Sequence, residues 1–304
     1  MIKITKSNLE RWLRCPKLYE YIDIKGIEQK TTIAMQIGKI MHEYFSQFFK
    51  VLNYEELSKC KTDREIRKFF LDYQPEVPKL ATRYARNFLD FEINRFKTLS
   101  SQYQDPLEFY KPAILEEYLE AKDYVKDATL VGKVDRVDWT SQRTFAVLEY
   151  KVTGTLRERD ISRETTFYGI LLEHSGKYTV PVTHLVGYTP VTNEYFVTLY
   201  TKQKENYVKR RIEQMIRAVL SGEFVKRQGD QCFTCQFAPV CLEQELDKDY
   251  LLEVISEQAY SIEELSEMMG IQREVISSTL ESLYEEGLVT SGFKGQIRYW
   301  WKKK

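Results

Sequence analysis

The stretch "VGKVDRVDWTSQRTFAVLEYK", Val131 to Lys151, constrains this chain more than any other. It runs apolar in the manner of strands, yet it carries Asp135, Glu149 and Lys151 where a packed sheet would take apolar side chains. Suppose that Leu130–Trp139 and Phe145–Lys151 pair antiparallel across the polar turn "TSQRT". Setting Trp139 against Phe145 then brings Asp135 opposite Glu149, and Lys151 onto the face of both acids. Facing carboxylates repel one another unless a cation lies between them. A hard divalent ion, Mg2+ or Mn2+, suits that place, bound by carboxylate oxygens, a backbone carbonyl and waters. Lys151 would orient or deprotonate an attacking water, or stabilise charge on a phosphorane-like transition state. The plainer reading is a solvent-facing hairpin in which Asp135 pairs with Lys133 or Lys151 and nothing is catalysed.

At 304 residues and 43% apolar content the chain has material for two domains with a core each. No run approaches eighteen apolar residues and the N-terminus lacks an apolar leader, so the expectation is a cytoplasmic protein with no membrane partner. The five cysteines are then reduced or metal-bound. With a formal net charge of zero, any nucleic acid must be met by local basic patches.

"SNLE", Ser7 to Glu10, fits a capping box that opens a helix ending near Pro16. Ile37, Ile40, Met41, Tyr44, Phe45 and Phe48 recur at helical spacing, and further helix follows through Arg83 to Phe96. Strand-like segments begin after "LSSQYQDP". "RETTFYGILLEHSG" reads as a helix ending at Gly176, "VTHLVGYTPV" and "EYFVTLY" as strands, and the segment from Lys202 as a helix. Central strands with helices before and after them indicate one mixed α/β domain to about residue 245. Glu116 and Glu117, on the strand before the hairpin, are either additional acids of the site or an exposed edge.

Asp135 in "GKVDRVD", followed by Glu149-Tyr150-Lys151 as ExK, resembles the core of PD-(D/E)XK nucleases of the RecB type. His42 in "GKIMHEYF" matches the upstream helix histidine of that group. "ETTFY", Glu164 to Tyr168, matches its QxxxY motif with Glu164 in place of Gln. Cys15, followed by Pro16, and the trio Cys232, Cys235 and Cys241 match the cysteines that hold an iron–sulfur cluster in the CRISPR-adaptation exonuclease Cas-four and in AddB-type nucleases. The likeness spans residues 7 to 245 in order. It implies a restriction-endonuclease-like core, with a mixed central sheet flanked by helices. It also implies a metal site of His42, Asp135, Glu149 and the Tyr150 carbonyl, with Lys151 and Tyr168 as further catalytic residues. Taken alone, His42 near Phe45 and Phe49 reads as a packed helix histidine, and Tyr168 as a core aromatic.

"CFTCQFAPVC" supplies three thiols and needs a distant fourth, for which Cys15 is available, while Cys60 has no neighbouring thiol. The spacing suits zinc and a cluster equally, and the resemblance favours [4Fe-4S] as a staple between chain ends. Between residues 202 and 227 the basic side chains, Lys209, Arg210 and Arg211 at their centre, outnumber Glu205, Glu213 and Glu223. They form a candidate DNA track, with Tyr207, Phe224 and Phe233 available to stack bases. Residues 246–304 read as three helices and a hairpin. This resembles a winged helix-turn-helix domain whose third helix could enter the major groove, although Glu274, Glu281, Glu285 and Glu286 on it favour protein contact equally.

The expectation is a nuclease domain over 1–245 and a winged helix over 246–304. Its function would be a Mg2+- or Mn2+-dependent exonuclease on single-stranded DNA ends, in CRISPR spacer acquisition or DNA repair, with integration or repair proteins as partners through the winged helix. The alternative is a catalytically silent DNA-binding or scaffold protein that keeps the fold and cluster.

Overall fold

The computed structural model describes residues 1–29, 31–152, 157–244 and 246–303. Packing divides the chain into two compact units, Met1–Leu9 with Ala34–Ser221, and Glu10–Ile33 with Gly222–Lys304. The division does not follow a cut at residue 245, because an N-terminal segment joins the C-terminal part.

In the first unit, a six-stranded sheet is organised around one long strand, β3 (Ala128–Trp139). One edge of β3 pairs antiparallel with β2 (Ile114–Val125) along most of its length. The other edge is shared. β1 (Ile2–Ile4) lies parallel to its start, from Ile2 against Ala128 to Ile4 against Leu130. β4 (Phe145–Tyr150) lies antiparallel to its end, with Trp139 against Phe145 and Arg136 against Leu148. That is the register expected from the sequence. β1 and β4 therefore approach each other along β3, C-terminal end towards C-terminal end, and part beside residues 131–135. β5 (Val182–Thr189) runs parallel to β4, and β6 (Glu194–Leu199) completes the sheet.

Two helical layers cover the faces. On one, the helix Ile33–Val51 contributes Tyr44, Phe45, Phe48 and Phe49, which interlock with Phe88 and Phe96 of the helix Thr82–Gln102 and with Leu148, Tyr150 and Tyr188 of the sheet. On the other lies the helix Glu158–His174. Its Ile161 approaches Gly187, which pairs with Glu149, so closely that a Cβ there would come within 2.5 Å of the isoleucine. A glycine lets the helix sit directly over the acid.

Below β4, fully buried Arg136 makes a bidentate bond to Asp138, at 2.8 and 2.7 Å, and reaches Glu92 at 2.5 Å. The same guanidinium donates to the Tyr150 hydroxyl at 3.1 Å, and the Tyr150 ring stacks on Phe45 at 4.1 Å. The middle residue of the ExK run is thus pinned on the core face, which directs Glu149 and Lys151 to the other side.

The helix Lys6–Arg14 is not capped by Ser7 and Glu10. Thr5 Oγ1 accepts from the Asn8 amide at 3.1 Å and Asn8 Oδ1 from the Thr5 amide at 2.9 Å, two residues before the expected box. β1 ends at Ile4, so the first residue able to cap is Thr5.

In the second unit, helices Lys248–Glu257, Ile262–Met269 and Arg273–Glu285 pack with a three-stranded sheet of β7 (Tyr260–Ser261), β8 (Val289–Lys294) and β9 (Ile297–Lys302) around buried Trp300. Ser261 and Glu264 form a capping box, and Gly270 closes that helix with φ 65°. The third helix carries two readings, entry into a major groove or contact with protein. Every residue from Val275 to Leu280 is buried, and the helix packs on residues 230–234 and 238–241.

Candidate active site

Glu116, Asp135 and Glu149 come from three adjacent strands. The β2–β3 pairs Leu115 with Arg136 and Glu117 with Val134 flank Glu116 and Asp135, and the β3–β4 pairing runs to Arg136 with Leu148, one step before Asp135 and Glu149. Glu116 adopts φ 55°, an uncommon backbone for a residue other than glycine and one that re-aims its side chain. His42, near the middle of the helix Ile33–Val51, brings Nδ1 to 3.4 Å from Asp135 Oδ1. Ligand atoms of His42, Glu116 and Asp135 all lie within 4.8 Å of one another. Glu117, the other acid weighed on this strand, turns away to pair with Lys177 and Tyr178.

Glu149 is 1% exposed, and its Oε1 pairs with the Lys6 ammonium. Its Oε2 is buried and accepts no hydrogen bond among the described residues. Burial pushes the Glu149 carboxyl up to about 7, against the pull of the Lys6 ammonium and with the push of the Asp135 charge. Burial also raises Asp135, but the His42 hydrogen bond and the charges of His42 and Lys6 outweigh it and hold its pKa below the usual value. The reciprocal effect raises His42 in spite of its own desolvation.

Lys151 Nζ lies 2.7 Å from Glu164 Oε2 on the covering helix. Lys6 Nζ lies 3.4 Å from the same carboxylate and 5.3 Å from the centroid of Tyr168, a phenol that burial pushes far above its usual pKa. The Glu164 carboxylate, in the position of the resembled glutamine, therefore answers two cations. The Tyr150 ring faces the core, and the site receives its backbone, whose N–H points at Asp135 Oδ2 from 3.5 Å. His42, Asp135, Glu149, Lys151 and Tyr168 are brought together here with Glu116, one of the two strand acids weighed in the sequence, and with Lys6, to which no motif points.

The donor set suits a hard divalent ion: carboxylate oxygens with a single imidazole nitrogen, and a buried oxygen on Glu149 without a partner. Such an ion supplies Lewis-acid activation of water and phosphate when bound.

In the second unit, Cys15, Cys232, Cys235 and Cys241 line one cavity of about 30 Å3. The Arg227 amide donates to Cys15 Sγ at 3.4 Å. Burial pushes the thiols of Cys235 and Cys241 up. Cys60 ends the helix Tyr54–Lys59 in the first unit and packs against its core. On the helix Lys202–Ser221, Lys209 lies over the ring of Tyr124 at 5.1 Å and Arg211 over Tyr207 at 5.0 Å, while Arg210 is exposed. Phe224 packs on Tyr19 at 6.0 Å.

No helix among the described residues is long and apolar enough to cross a membrane. Comparison with solved structures finds "Crystal structure of SSO0001", 15% identical with a TM-score of 0.38, covering 80% of this chain and 87% of that one. No curated protein matches. Residues 3–242 match the family model described as the PD-(D/E)XK nuclease superfamily, a stretch that holds the acids, the lysine and the four cysteines. The chain belongs to the PD-(D/E)XK nuclease superfamily.

Proposed function

We propose that the protein is a Mg2+- or Mn2+-dependent deoxyribonuclease that trims single-stranded DNA ends in CRISPR spacer acquisition or DNA repair. The observation that carries the reading is the convergence of His42, Glu116 and Asp135 beside a buried Glu149 oxygen that lacks a partner. Hydrolysis adds a water oxygen to phosphorus, breaks the bond to the leaving sugar oxygen and returns a proton to it. Lys151, 2.7 Å from Glu164, stabilises the negative charge that builds on the phosphoryl oxygens or serves as the base that takes the water's proton. Tyr168 walls the pocket and keeps Lys6 in place.

The same reading takes the cysteine cavity for a [4Fe-4S] site with a structural role, supported by the four thiols that line it. The family match to residue 242 supports a nuclease domain over 1–245, and the three helices and hairpin of 246–304 are read as a winged helix. With its third helix covered, that module suits contact with integration or repair proteins, leaving DNA to Lys209, Arg210 and Arg211. The test is cleavage of end-labelled single- and double-stranded DNA with Mn2+, Mg2+ or chelator. Metal-dependent shortening of the single strand is expected, and intact DNA under every condition would overturn the reading.

A further inference from the structure

Lys6 belongs to none of the motifs that point to a nuclease, yet it sits deeper in the acid pocket than Lys151. Its side chain is 17% exposed against 31% for Lys151. Its position follows from the topology. β1 and β4 occupy the same edge of β3 from opposite ends, so the residue that follows β1 and Thr5 enters the gap where β4 finishes. Lys6 opens the helix Lys6–Arg14 at that point, and its ammonium meets Glu149 Oε1 and Glu164 Oε2, two carboxylates 1% and 4% exposed.

Two buried acids on neighbouring elements need cations close by, and among the described residues Lys6 and Lys151 are the cations paired with them. Lys151 reaches Glu164, so Lys6 is the cation on Glu149. A divalent ion drawing on the free Glu149 oxygen would stand close to that ammonium and repel it. The substitution of glutamate for glutamine at position 164 then acquires a purpose, since its charge gives Lys6 somewhere to remain.

We propose that Lys6 is the resident counter-cation of the acid pocket: it neutralises Glu149 and Glu164 in the metal-free protein, yields Glu149 to the divalent ion, and stays on Glu164 within reach of the substrate phosphate. This rests on the metal-site reading above. Metal loading is then a competition, and the affinity for the ion is set partly by how firmly Lys6 holds Glu149. Lys6 also becomes a positioning residue for phosphate once displaced.

The test is Mn2+ binding to the full chain without DNA, followed by calorimetry or by loss of the free-ion paramagnetic signal. Lys6→Met should bind Mn2+ about tenfold more tightly, since a repelling charge has been withdrawn, whereas Lys6→Arg should stay near the parent. At saturating Mn2+ the cleavage rate of Lys6→Met should fall although its ion binds better, a split that a purely structural role would not produce. Should Lys6→Met fail to fold by circular dichroism, Lys6→Gln, whose amide can bond both acids without charge, carries the same expectation. Equal or weaker Mn2+ binding in the folded neutral variant overturns the proposal. Mn2+ binding indifferent to Asp135→Asn would instead place the ion elsewhere and remove the metal-site reading itself. Binding that needs Asp135 but ignores Lys6 defeats the Lys6 proposal alone.

Discussion

The acid pocket and the cysteine cavity, the two places where we propose a metal, are built in opposite ways. In the acid pocket each of the four acids has a partner from the protein: Lys6 on Glu149, Lys151 on Glu164, His42 on Asp135, Lys133 on Glu116. Its residues stand on adjacent strands of a sheet whose reverse side is pinned by the Arg136 network. In the cysteine cavity, burial favours neutral thiols at Cys235 and Cys241. The scaffold there is a five-residue 3-10 turn, Asp230–Thr234, and a four-residue helix, Ala238–Cys241. The first site has its shape before an ion arrives, and the ion adds chemistry. The second has so little regular structure that a metal bound to its thiolates would add folding energy.

That contrast is open to attack by substitution. Asp135→Asn or Glu149→Gln should lower the rate of single-strand cleavage by roughly 10²–10³-fold or more while the circular dichroism stays native, because transition-state stabilisation is withdrawn from a preformed frame. Collapse of the fold in both variants would mean that the frame depends on its acids. Arg136→Met should destabilise the first unit by about 1–3 kcal/mol in urea titration, since buried Glu92 and Asp138 would lose one of two guanidinium partners and keep Arg95 alone. Cys15→Ser should cost the second unit roughly 1–3 kcal/mol and abolish any bound iron, whereas Cys60→Ser should leave both unchanged. Loss of iron with no loss of stability would remove the distinction between the two sites.

The acid pocket should also show its charge in a pH titration. The Glu149 carboxyl is raised to about 7 by burial, with Asp135 adding to the shift and Lys6 opposing it, and only the carboxylate binds an ion. Mn2+ affinity should therefore climb by at least about tenfold per pH unit below 7, where Glu149 releases a proton on binding and protonated His42, its pKa also raised, releases a second. A flat profile from pH 5 to 8 would show that neither Glu149 nor His42 takes part. The smallest effect concerns the basic helix. Replacing Lys209, Arg210 and Arg211 with Ala should reduce the slope of log affinity against log salt by about 2 on single-stranded DNA, equally for all sequences.

What the sequence made legible followed from local pattern. The turn "TSQRT" between two apolar runs set the pairing of Trp139 with Phe145, and from it the meeting of Asp135 and Glu149. Acids among buried strand residues stood out because they are costly there. Lys6 gave no such signal, since a lysine at a helix start is ordinary and its role depends on β1 finding β3 across the long helical segment that separates Ile2 from Ala128 in the chain. The capping box was misplaced by two residues for a related reason: Thr5–Asn8 and Ser7–Glu10 are both chemically able to cap, and the end of β1 decides between them. The packing of residues 10–33 with 222–304, and the burial of the third C-terminal helix, likewise depend on contacts far apart along the chain.

The parting of β1 and β4 on one edge of β3 has a consequence for when this enzyme exists at all. A ribosome releases the N-terminus first, and Ile2 has no partner until Ala128 emerges. Until then Lys6 has no acid to meet, and Glu149 and Glu164 have not been made. The segment that holds Cys15 waits longer still, for residues beyond Gly222. The acid pocket is thus closed when Ile2 to Lys6 meet strands and a helix made much later, and the cysteine cavity when Cys15 meets residues made later still. A chain cut short before Glu164 lacks the first site's full set of charges, and one cut short before Cys232 lacks the second site while able to keep the first.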